Sequence, residues 1–262
     1  MNKFISIIRE FYDAIMDLIF VEKNICFICN SYDEDITKDH ICIDCLEKLI
    51  FIRHNGCTIC GKYLGDNLKL RKCKDCLKHP HSFTKAVSPI VYDGIAKKAI
   101  YEYKYSNKTY MYKIFGRLIL HSITNSGFDK VDMIVPVPLY KYKKRLRGFN
   151  QSELISKYIS NNLSIEIDTK NLQRVRETKV QNELHREDRI KNIKDAFIVK
   201  DKKAFINKNI LLIDDIYTTG ATVDECSRVL LESGAKNVFV VTIATGKDDQ
   251  TNNLKKESWK LM

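Results

Sequence analysis

Eight of the nine cysteines form a tandem repeat, and this repeat constrains the fold of the first third of the chain. The pattern C-x2-C-x12-C-x2-C begins at Cys26 and begins again 31 residues later at Cys57. A C-x2-C pair lets two thiolates on one tight turn reach the same ion, and a hairpin brings in the second pair. Four thiolates complete the tetrahedral shell of Zn2+, so each unit predicts a structural zinc site. The predicted ligands are Cys26, Cys29, Cys42 and Cys45 for one ion and Cys57, Cys60, Cys73 and Cys76 for the other.

Disulfides and an iron-sulfur cluster are the alternative uses of these cysteines. A cytosolic location disfavours disulfides, and the duplicated ribbon spacing favours zinc over both. The duplication favours ligand sets within each repeat, while a crossed arrangement stays open. Because eight cysteines already satisfy two ions, the four nearby histidines are interpreted as exposed loop residues: His40, His54, His79 and His81. A module this small buries little apolar surface, so zinc should supply much of its folding free energy.

The N-terminal residues 1–24 have apolar positions at helical spacing, interrupted by charges of both signs. They predict an amphipathic helix packed on the rest of the protein, in preference to a membrane-surface helix. The same charges interrupt any signal-peptide core or membrane span, so we expect a cytoplasmic protein with no transmembrane segment. An apolar fraction of 44% argues against global disorder, and a formal charge of +11 favours polyanionic partners.

After a double zinc ribbon predicted over 25–81, residues 82–246 alternate apolar strands with helices, and 247–262 form a polar tail. The predicted strands are 86–92, 131–135, 210–213 and 238–244, and the predicted helices are 94–105, 110–124, 151–161 and 222–233. Strands that are apolar throughout and separated by helices form a parallel sheet covered on both faces. The fold class is therefore a doubly wound α/β sheet, whose ligand site lies beyond the carboxyl ends of the strands.

The segment LLIDDIYTTGAT places two acids and a threonine-rich turn at that edge of the sheet. Backbone N–H groups and hydroxyls of Thr218 to Thr222 can surround an anion at the start of a helix, and Gly220 permits the close approach that this requires. Asp214 and Asp215 would repel a phosphate, but they suit ribose hydroxyls or Mg2+. A capping box between Thr222 and Glu225 is the structural alternative. The pattern favours a phosphorylated ribose, since other phosphate motifs do not fit.

The same segment closely resembles the phosphoribosyl pyrophosphate (PRPP) motif of type I phosphoribosyltransferases. The resemblance implies that Asp214 and Asp215 bind the ribose hydroxyls and are the catalytic acids of any transferase, with Mg2+ accompanying PRPP. It also implies that the turn binds the 5′-phosphate through Thr218, Thr219, Gly220, Ala221 and Thr222. The pyrophosphate loop is expected after the strand at 131–135, where Val137 and Pro138 join the PRPP site.

Two further segments, VPVPLYKYKKRLRGFNQSELI and RVRETKVQNELHREDRIKNIKDAF, are similar to signatures of the ComF (ComFC) family of competence proteins. This resemblance implies an N-terminal zinc module joined to a phosphoribosyltransferase-like domain. It further implies a role in handling single-stranded DNA during natural transformation, with a competence helicase as a partner.

The two segments carry the cations that are candidates for nucleic-acid or pyrophosphate contacts. Cations alternate with aromatic rings between Tyr140 and Gln151, which suits stacked bases of single-stranded DNA, neutralisation of pyrophosphate, or both. By resemblance, residues 174–189 occupy the place of a mobile hood that closes over the substrate. His185 in this hood is interpreted as a polar surface residue. The candidate contacts are Lys143, Lys144, Arg145, Arg147, Phe149, Arg174, Arg176 and Arg186.

Two classes of function follow from these features. As an enzyme, the protein would transfer phosphoribose from PRPP to a nucleobase or an amine. As a binding module, it would hold single-stranded DNA in a basic groove, with PRPP or a nucleotide as a ligand. The preferred hypothesis combines them as a DNA-uptake factor that retains a PRPP site.

Overall fold

The computed structural model describes residues 24–36, 40–65, 70–106, 108–124, 126–128, 130–178 and 186–248. It divides into two compact units, Met1–Glu47 and Lys48–Met262. The predicted N-terminal helix and nearly all of the predicted tail lie outside the described residues. Within the described ranges, no helix has the length and apolar character needed to cross a membrane.

The centre of the larger unit is a six-stranded sheet in which every pairing is parallel. Its strands are β1 (Lys85–Val87), β2 (Ile90–Val91), β3 (Met133–Pro136), β4 (Glu166–Ile167), β7 (Asn209–Tyr217) and β8 (Asn237–Thr245). The order is β1-β8-β7-β3-β4, and β2 pairs with β8 beyond β1. A separate antiparallel hairpin consists of β5 (Leu172–Arg174) and β6 (Phe197–Val199).

Helices cover both faces of this sheet. The helices of the described residues are α1 (Ile43–Lys48), α2 (Lys74–Lys78), α3 (Gly94–Tyr105), α4 (Tyr112–Thr124), α5 (Lys141–Arg147), α6 (Gln151–Leu163), α7 (Arg186–Ile193) and α8 (Ala221–Glu232), with 3-10 turns at Thr109–Met111 and Lys202–Phe205. Ile210 and Leu212 of β7 join a core cluster with Cys226 and Leu230 of α8. The alternate residues of β7 face the other side, where α4 and α6 contact each other and the sheet. The predicted fold class, a doubly wound parallel sheet, is confirmed.

The second cysteine unit packs with the sheet. Cys57, Cys60, Leu64 and Cys73 belong to the same core cluster as the α8 face of the sheet, and Phe83 joins them. The first compact unit ends at Glu47 instead of near residue 81. The second ribbon therefore shares a hydrophobic core with the α/β domain, although both ribbons were predicted to form one separate module.

Several predicted elements have different bounds in the structure. The strand predicted over 86–92 is interrupted at Ser88 and Pro89, because proline has no N–H group to donate to the ladder. The strand predicted over 210–213 continues to Tyr217, since β8 pairs with it along its whole length. The basic segment after β3 forms a helix, α5, whereas the sequence suggested a basic loop with exposed aromatic rings.

Candidate functional site

Asp214 and Asp215 lie within β7, whereas the sequence predicted that they would follow the end of the strand. On one side β7 stays paired, since Asp214 is opposite Thr242 of β8. On the other side β3 ends at Pro136, which is opposite Ile213. The acids therefore extend beyond the edge of β3, at the carboxyl end of the sheet where a ligand is expected.

The two acids have different partners. Asp215 forms an ion pair of 2.8 Å with Lys104 of α3, and the side chains are 18% and 15% exposed respectively. The Asp214 carboxylate accepts hydrogen bonds from the backbone N–H of Asp215 at 2.8 Å and from Ser152 Oγ at 3.3 Å. Burial, together with the charge of Asp215, raises the pKa of Asp214 to about 7. Among the described residues, Lys104 is the ion-pair partner for two half-buried carboxylates, an arrangement that favours a further cation or hydroxyl donors.

The turn after β7 has the backbone shape of an anion cradle. Gly220 has φ +80° and is the N-cap of α8, and a Cβ there would lie 2.4 Å from Tyr217 Oη. Thr218 Oγ1 accepts a hydrogen bond of 3.2 Å from Arg189 of α7. Thr219 Oγ1 accepts one of 3.5 Å from the N–H of Ala221, the first residue of α8. The hydroxyls and the helix start therefore converge beside the acids.

The capping-box interpretation of this turn is wrong. Helix α8 has no side-chain cap hydrogen bond at its N-cap. The Glu225 carboxylate instead accepts from the N–H of Asp195 at 2.8 Å and from Arg228 Nη2 at 2.7 Å. Glu225 thus anchors the turn after α7 to α8 and does not cap the start of α8, whose first turn also contains Asp224.

The loop after β3 is held against the acids. The N–H of Val137 donates to the carbonyl of Ile213 at 2.9 Å, immediately before Asp214. Asn150 Nδ2 donates to the carbonyl of Val137 at 3.0 Å, and its Oδ1 accepts from the N–H of Ser152 at 3.2 Å. Because Ser152 also donates to Asp214, this network joins the loop, the start of α6 and the acids. Val137 is therefore next to the acid pair, and Pro138 follows it in the loop.

The structure separates the predicted aromatic and basic residues of 140–151. Phe149 is half-buried, with its ring centroid 6.0 Å from that of the buried Tyr103, so it is not an exposed stacking surface. Lys144 forms an ion pair of 3.1 Å with Glu153, while Arg145 is exposed. The pKa of Lys143 is lowered by burial and by neighbouring arginines.

The arginines of the predicted hood have local partners as well. Arg174 donates to Thr178 Oγ1 and lies with Cζ 5.4 Å from the centre of the Phe197 ring. Arg176 donates to the carbonyls of Asn192 and Lys194 at 3.0 and 2.6 Å, which secures the end of α7. Helix α7 begins at Arg186, whose side chain lies outside the described residues, as does His185. Among the described residues of this segment, Arg189 reaches the threonine turn through Thr218 Oγ1.

A pocket of about 830 Å³ opens between the β3 loop and the β5-β6 hairpin. Pro138 and Leu139 form its wall nearest the acids, and Arg174 lies on the opposite hairpin. Its size is that of a small-ligand site. No sequence motif indicated this pocket, because its walls come from short segments far apart in the chain.

Each cysteine repeat brings its four sulfurs into one cluster. The four Sγ atoms of each repeat lie within 4.8 Å of one another, with Cys29 and Cys42 3.7 Å apart and Cys60 and Cys73 3.5 Å apart. A Zn–S bond of about 2.3 Å gives S···S edges of about 3.8 Å in a tetrahedron. The donors therefore fit two structural zinc ions, each held within one repeat.

The backbone repeats with the cysteines. The N–H of Cys42 donates to Cys26 Sγ at 3.4 Å, and the N–H of Cys73 donates to Cys57 Sγ at the same distance. The turn that follows the first cysteine needs positive φ in both units, which is supplied by Asn30 (62°) and Gly61 (72°). A Cβ at position 61 would lie 2.9 Å from the carbonyl oxygen of Ala86, so glycine allows the second ribbon to approach β1.

Two of the four histidines differ from the exposed loop residues that were expected. His40 stacks on Phe27 and His81 on Phe83, each with ring centroids 4.6 Å apart. His54 and His79 are exposed. Stacking on a ribbon or core aromatic explains the two buried rings without assigning them to metal.

Comparison with known families and structures supports the ribbon assignment. Residues 15–77 match the double zinc ribbon domain family. Among solved structures, the allosteric regulatory enzyme of purine biosynthesis is 15% identical, with a TM-score of 0.36 over 54% of this chain and 30% of that one. Adenine phosphoribosyltransferase from Saccharomyces cerevisiae is 16% identical, with a TM-score of 0.34 over 59% and 76%.

Curated relatives match at about 30% identity. Competence protein F of Haemophilus influenzae is 31% identical over 55% of this chain and 66% of its own length. The DNA utilization protein YhgH of Salmonella typhimurium is 30% identical over 62% and 72%, and competence protein ComFC of Streptococcus pneumoniae is 31% identical over 55% and 66%. The matched part thus spans about two thirds of these relatives. The chain belongs to the family of competence protein F, ComFC and the DNA utilization protein YhgH.

Proposed function

We propose that the carboxyl edge of the sheet binds PRPP together with Mg2+. The observation that carries this proposal is the convergence of Asp214, Asp215 and the Thr218–Thr222 turn at one edge, beside the Val137–Pro138 loop. Paired carboxylates, an anion cradle and a second loop match the ribose, the 5′-phosphate and the pyrophosphate of one ligand.

The ribose end of the site is assigned to the acids. Carboxylates are strong acceptors for vicinal hydroxyls, and they also hold Mg2+ directly or through water. The Lys104–Asp215 pair and the raised pKa of Asp214 show that the site accommodates little unneutralised negative charge. When bound, Mg2+ would add positive charge between these carboxylates and the ligand phosphates.

The 5′-phosphate is assigned to the threonine turn. Gly220, with φ +80°, is the N-cap of α8, and its missing Cβ leaves room for the Tyr217 side chain beneath the turn; the start of a helix favours an anion. Arg189 adds a guanidinium beside Thr218. These groups favour a dianion held against the end of β7, at a short distance from the acids.

The pyrophosphate end is assigned to the loop at Val137 and Pro138 and to nearby cations. Arg174 and Lys143 are the cations assigned to this end, and burial first and then the charge of Arg174 lower the pKa of Lys143. A cluster of like charges gains stability when a polyanion neutralises it. If PRPP is turned over, these cations stabilise departing pyrophosphate while C1′ bonds to a nucleobase or an amine.

A second candidate function is the binding of single-stranded DNA in natural transformation. The exposed cations of α5, including Lys141 and Arg145, support it together with the formal charge of +11. The names of the relatives, competence protein and DNA utilization protein, agree with it. A competence helicase as partner and a cytoplasmic location stay predictions.

Ligand-induced stabilisation tests the PRPP site. A ligand at 100 times its Kd stabilises the folded state by about 2.7 kcal/mol, so PRPP with Mg2+ should raise the melting temperature. The rise should disappear when Asp214→Asn and Asp215→Asn are combined. No rise in the wild type at millimolar PRPP would contradict the proposal.

Turnover and DNA binding need their own assays. Pyrophosphate release from PRPP and Mg2+, measured with pools of nucleobases and amines, establishes a transferase if release depends on an acceptor. DNA affinity measured against salt tests the second function, because its slope counts the phosphates neutralised. Replacing Arg145 and Arg147 by Ala should weaken DNA binding, while the double Asn variant should leave it unchanged.

A further inference from the structure

Two tyrosines on α3 form an exposed aromatic surface. Tyr101 and Tyr105 are 61% and 57% exposed, and their ring centroids are 4.8 Å apart at an angle of 44°. The guanidinium carbon of Arg147 lies 4.7 Å from the centre of the Tyr105 ring. We call Tyr101, Tyr105 and Arg147 the tyrosine platform. It presents π-faces and a cation, although the sequence placed the aromatic surface at Tyr140–Phe149.

The platform is held in place by hydrogen bonds of Arg147 and of the neighbouring Gln151. Arg147 Nη2 donates to Tyr105 Oη at 2.8 Å, and its Nη1 donates to Gln151 Oε1 at 3.1 Å. The carbonyl of fully buried Gln151 accepts from Tyr103 Oη at 3.0 Å, which ties α3 to the start of α6. Both tyrosine rings therefore stand on packed helices, and little side-chain entropy is left to lose when a flat ligand stacks on them.

The charge around the platform is positive. Lys97 is exposed and lies four residues before Tyr101, so it occupies the same face of α3. The carboxylate next to Tyr101, Glu102, forms an ion pair of 2.7 Å with Lys108. Lys97, the rings of Tyr101 and Tyr105, and the guanidinium of Arg147 thus follow one another in this order.

We propose that the tyrosine platform stacks bases of single-stranded DNA while Lys97 and Arg147 contact the flanking phosphates. The inference rests on the DNA-binding part of the proposed function and assigns it a surface. Alternating cations and π-faces complement a chain of alternating phosphates and bases. Stacking is sequence-tolerant, so the platform holds a strand of any sequence.

The platform adjoins the proposed PRPP site. Lys104, which pairs with Asp215, immediately precedes Tyr105 in α3. A strand stacked on the platform therefore passes within about one helical turn of the residue that neutralises the acid pair. This proximity gives the two ligands neighbouring places on one face of the domain.

Fluorescence anisotropy with a labelled oligothymidylate tests the proposal. Tyr101→Ala and Tyr105→Ala should each weaken binding about 5- to 150-fold, which is the ~1–3 kcal/mol of one base stack converted to affinity. Tyr101→Phe keeps the ring and should bind like the wild type. Tyr32→Ala is the matched control, since Tyr32 is also exposed, at 68%, but belongs to the first ribbon and not to the platform or α5. Zinc content and circular dichroism establish that each variant is folded.

The salt dependence separates stacking from phosphate contacts. The alanine variants at 101 and 105 should keep the wild-type salt slope, whereas Lys97→Ala should reduce it by about 0.7. Equal affinity for duplex DNA would overturn base stacking. Unchanged affinity in both tyrosine variants would overturn the platform and leave DNA binding standing. If the wild type binds no single-stranded DNA, the platform and the proposed DNA-binding function both fail. Stabilisation by PRPP, measured in the same preparations, tests the PRPP site independently.

Discussion

Replacing Asp214 by Asn should stabilise the ligand-free protein increasingly as pH rises. Burial and Asp215 raise the pKa of Asp214 from 3.8 to about 7. Between these values the folded state keeps a proton that the unfolded state has released, so wild-type stability falls as pH increases. Above pH 7 the Asp214 carboxylate is ionised in both the folded and the unfolded state. The folded state then bears the full free-energy cost of the charged side chain.

The magnitude follows from that shift. A difference of about three pKa units at 1.36 kcal/mol each gives an upper limit of ~4 kcal/mol at pH 8. Of this, about 2 to 3 kcal/mol develops between pH 5 and pH 8, because the unfolded state is already largely ionised at pH 5. Asparagine keeps an oxygen that can accept from Ser152 Oγ and the N–H of Asp215, so the hydrogen bonds are maintained.

Urea unfolding at pH 5 and pH 8 measures this difference. The advantage of Asp214→Asn over the wild type should grow by about 2 to 3 kcal/mol between the two pH values. Zinc release at low pH affects both proteins and cancels in the comparison. Asp195→Asn is the control, since that carboxylate is 72% exposed and its replacement should have a small effect at both pH values. An advantage that is equal at pH 5 and pH 8 would refute the claim that the Asp214 charge is held at a cost.

Three other perturbations probe the zinc ribbons, the turn and the ion pair. Cys60→Ser should lower the melting temperature of the α/β domain more than the equivalent Cys29→Ser, because only Cys60 belongs to the core shared with the sheet; equal effects in calorimetry would contradict this. Gly220→Ala should lower the free energy of unfolding in urea by about 1–3 kcal/mol and should weaken PRPP binding. Gly94→Ala is the control and should lower it less, because Gly94 also has positive φ but an added Cβ would have nothing within 4 Å. Lys104→Met should destabilise the ligand-free protein by about 1–3 kcal/mol at pH 8. Unchanged stability would show that the ion pair between Lys104 and Asp215 contributes nothing.

The features that sequence predicts well are those encoded within a few consecutive residues. The cysteine spacing of each ribbon predicts the ligands and favours their grouping within one repeat, and the structure brings each set of four sulfurs together. The apolar run before Asp214 specifies a buried strand, and the following glycine and threonines specify a turn into a helix. In each case the relevant contacts are local, so spacing is sufficient.

The features that sequence misses depend on contacts between distant segments. Lys104 lies on α3, 111 residues before its partner Asp215, and no neighbouring sequence feature distinguishes it from other lysines. Tyr101 and Tyr105 became a platform only when α5 placed Arg147 beside them. Phe149 looked like a stacking residue among cations, but tertiary packing turns it toward Tyr103.

Isothermal titration of PRPP into the zinc-loaded protein, with and without Mg2+, tests the central claim most directly. We predict one binding site per chain, tighter with Mg2+, retained by Asp195→Asn and abolished when Asp214 and Asp215 are both replaced by Asn. Ribose 5-phosphate should bind more weakly, because it lacks the pyrophosphate that the loop at Val137 and Pro138 would contact. Failure of the wild type to bind PRPP, or binding that is unchanged in the double Asn variant, would contradict the account.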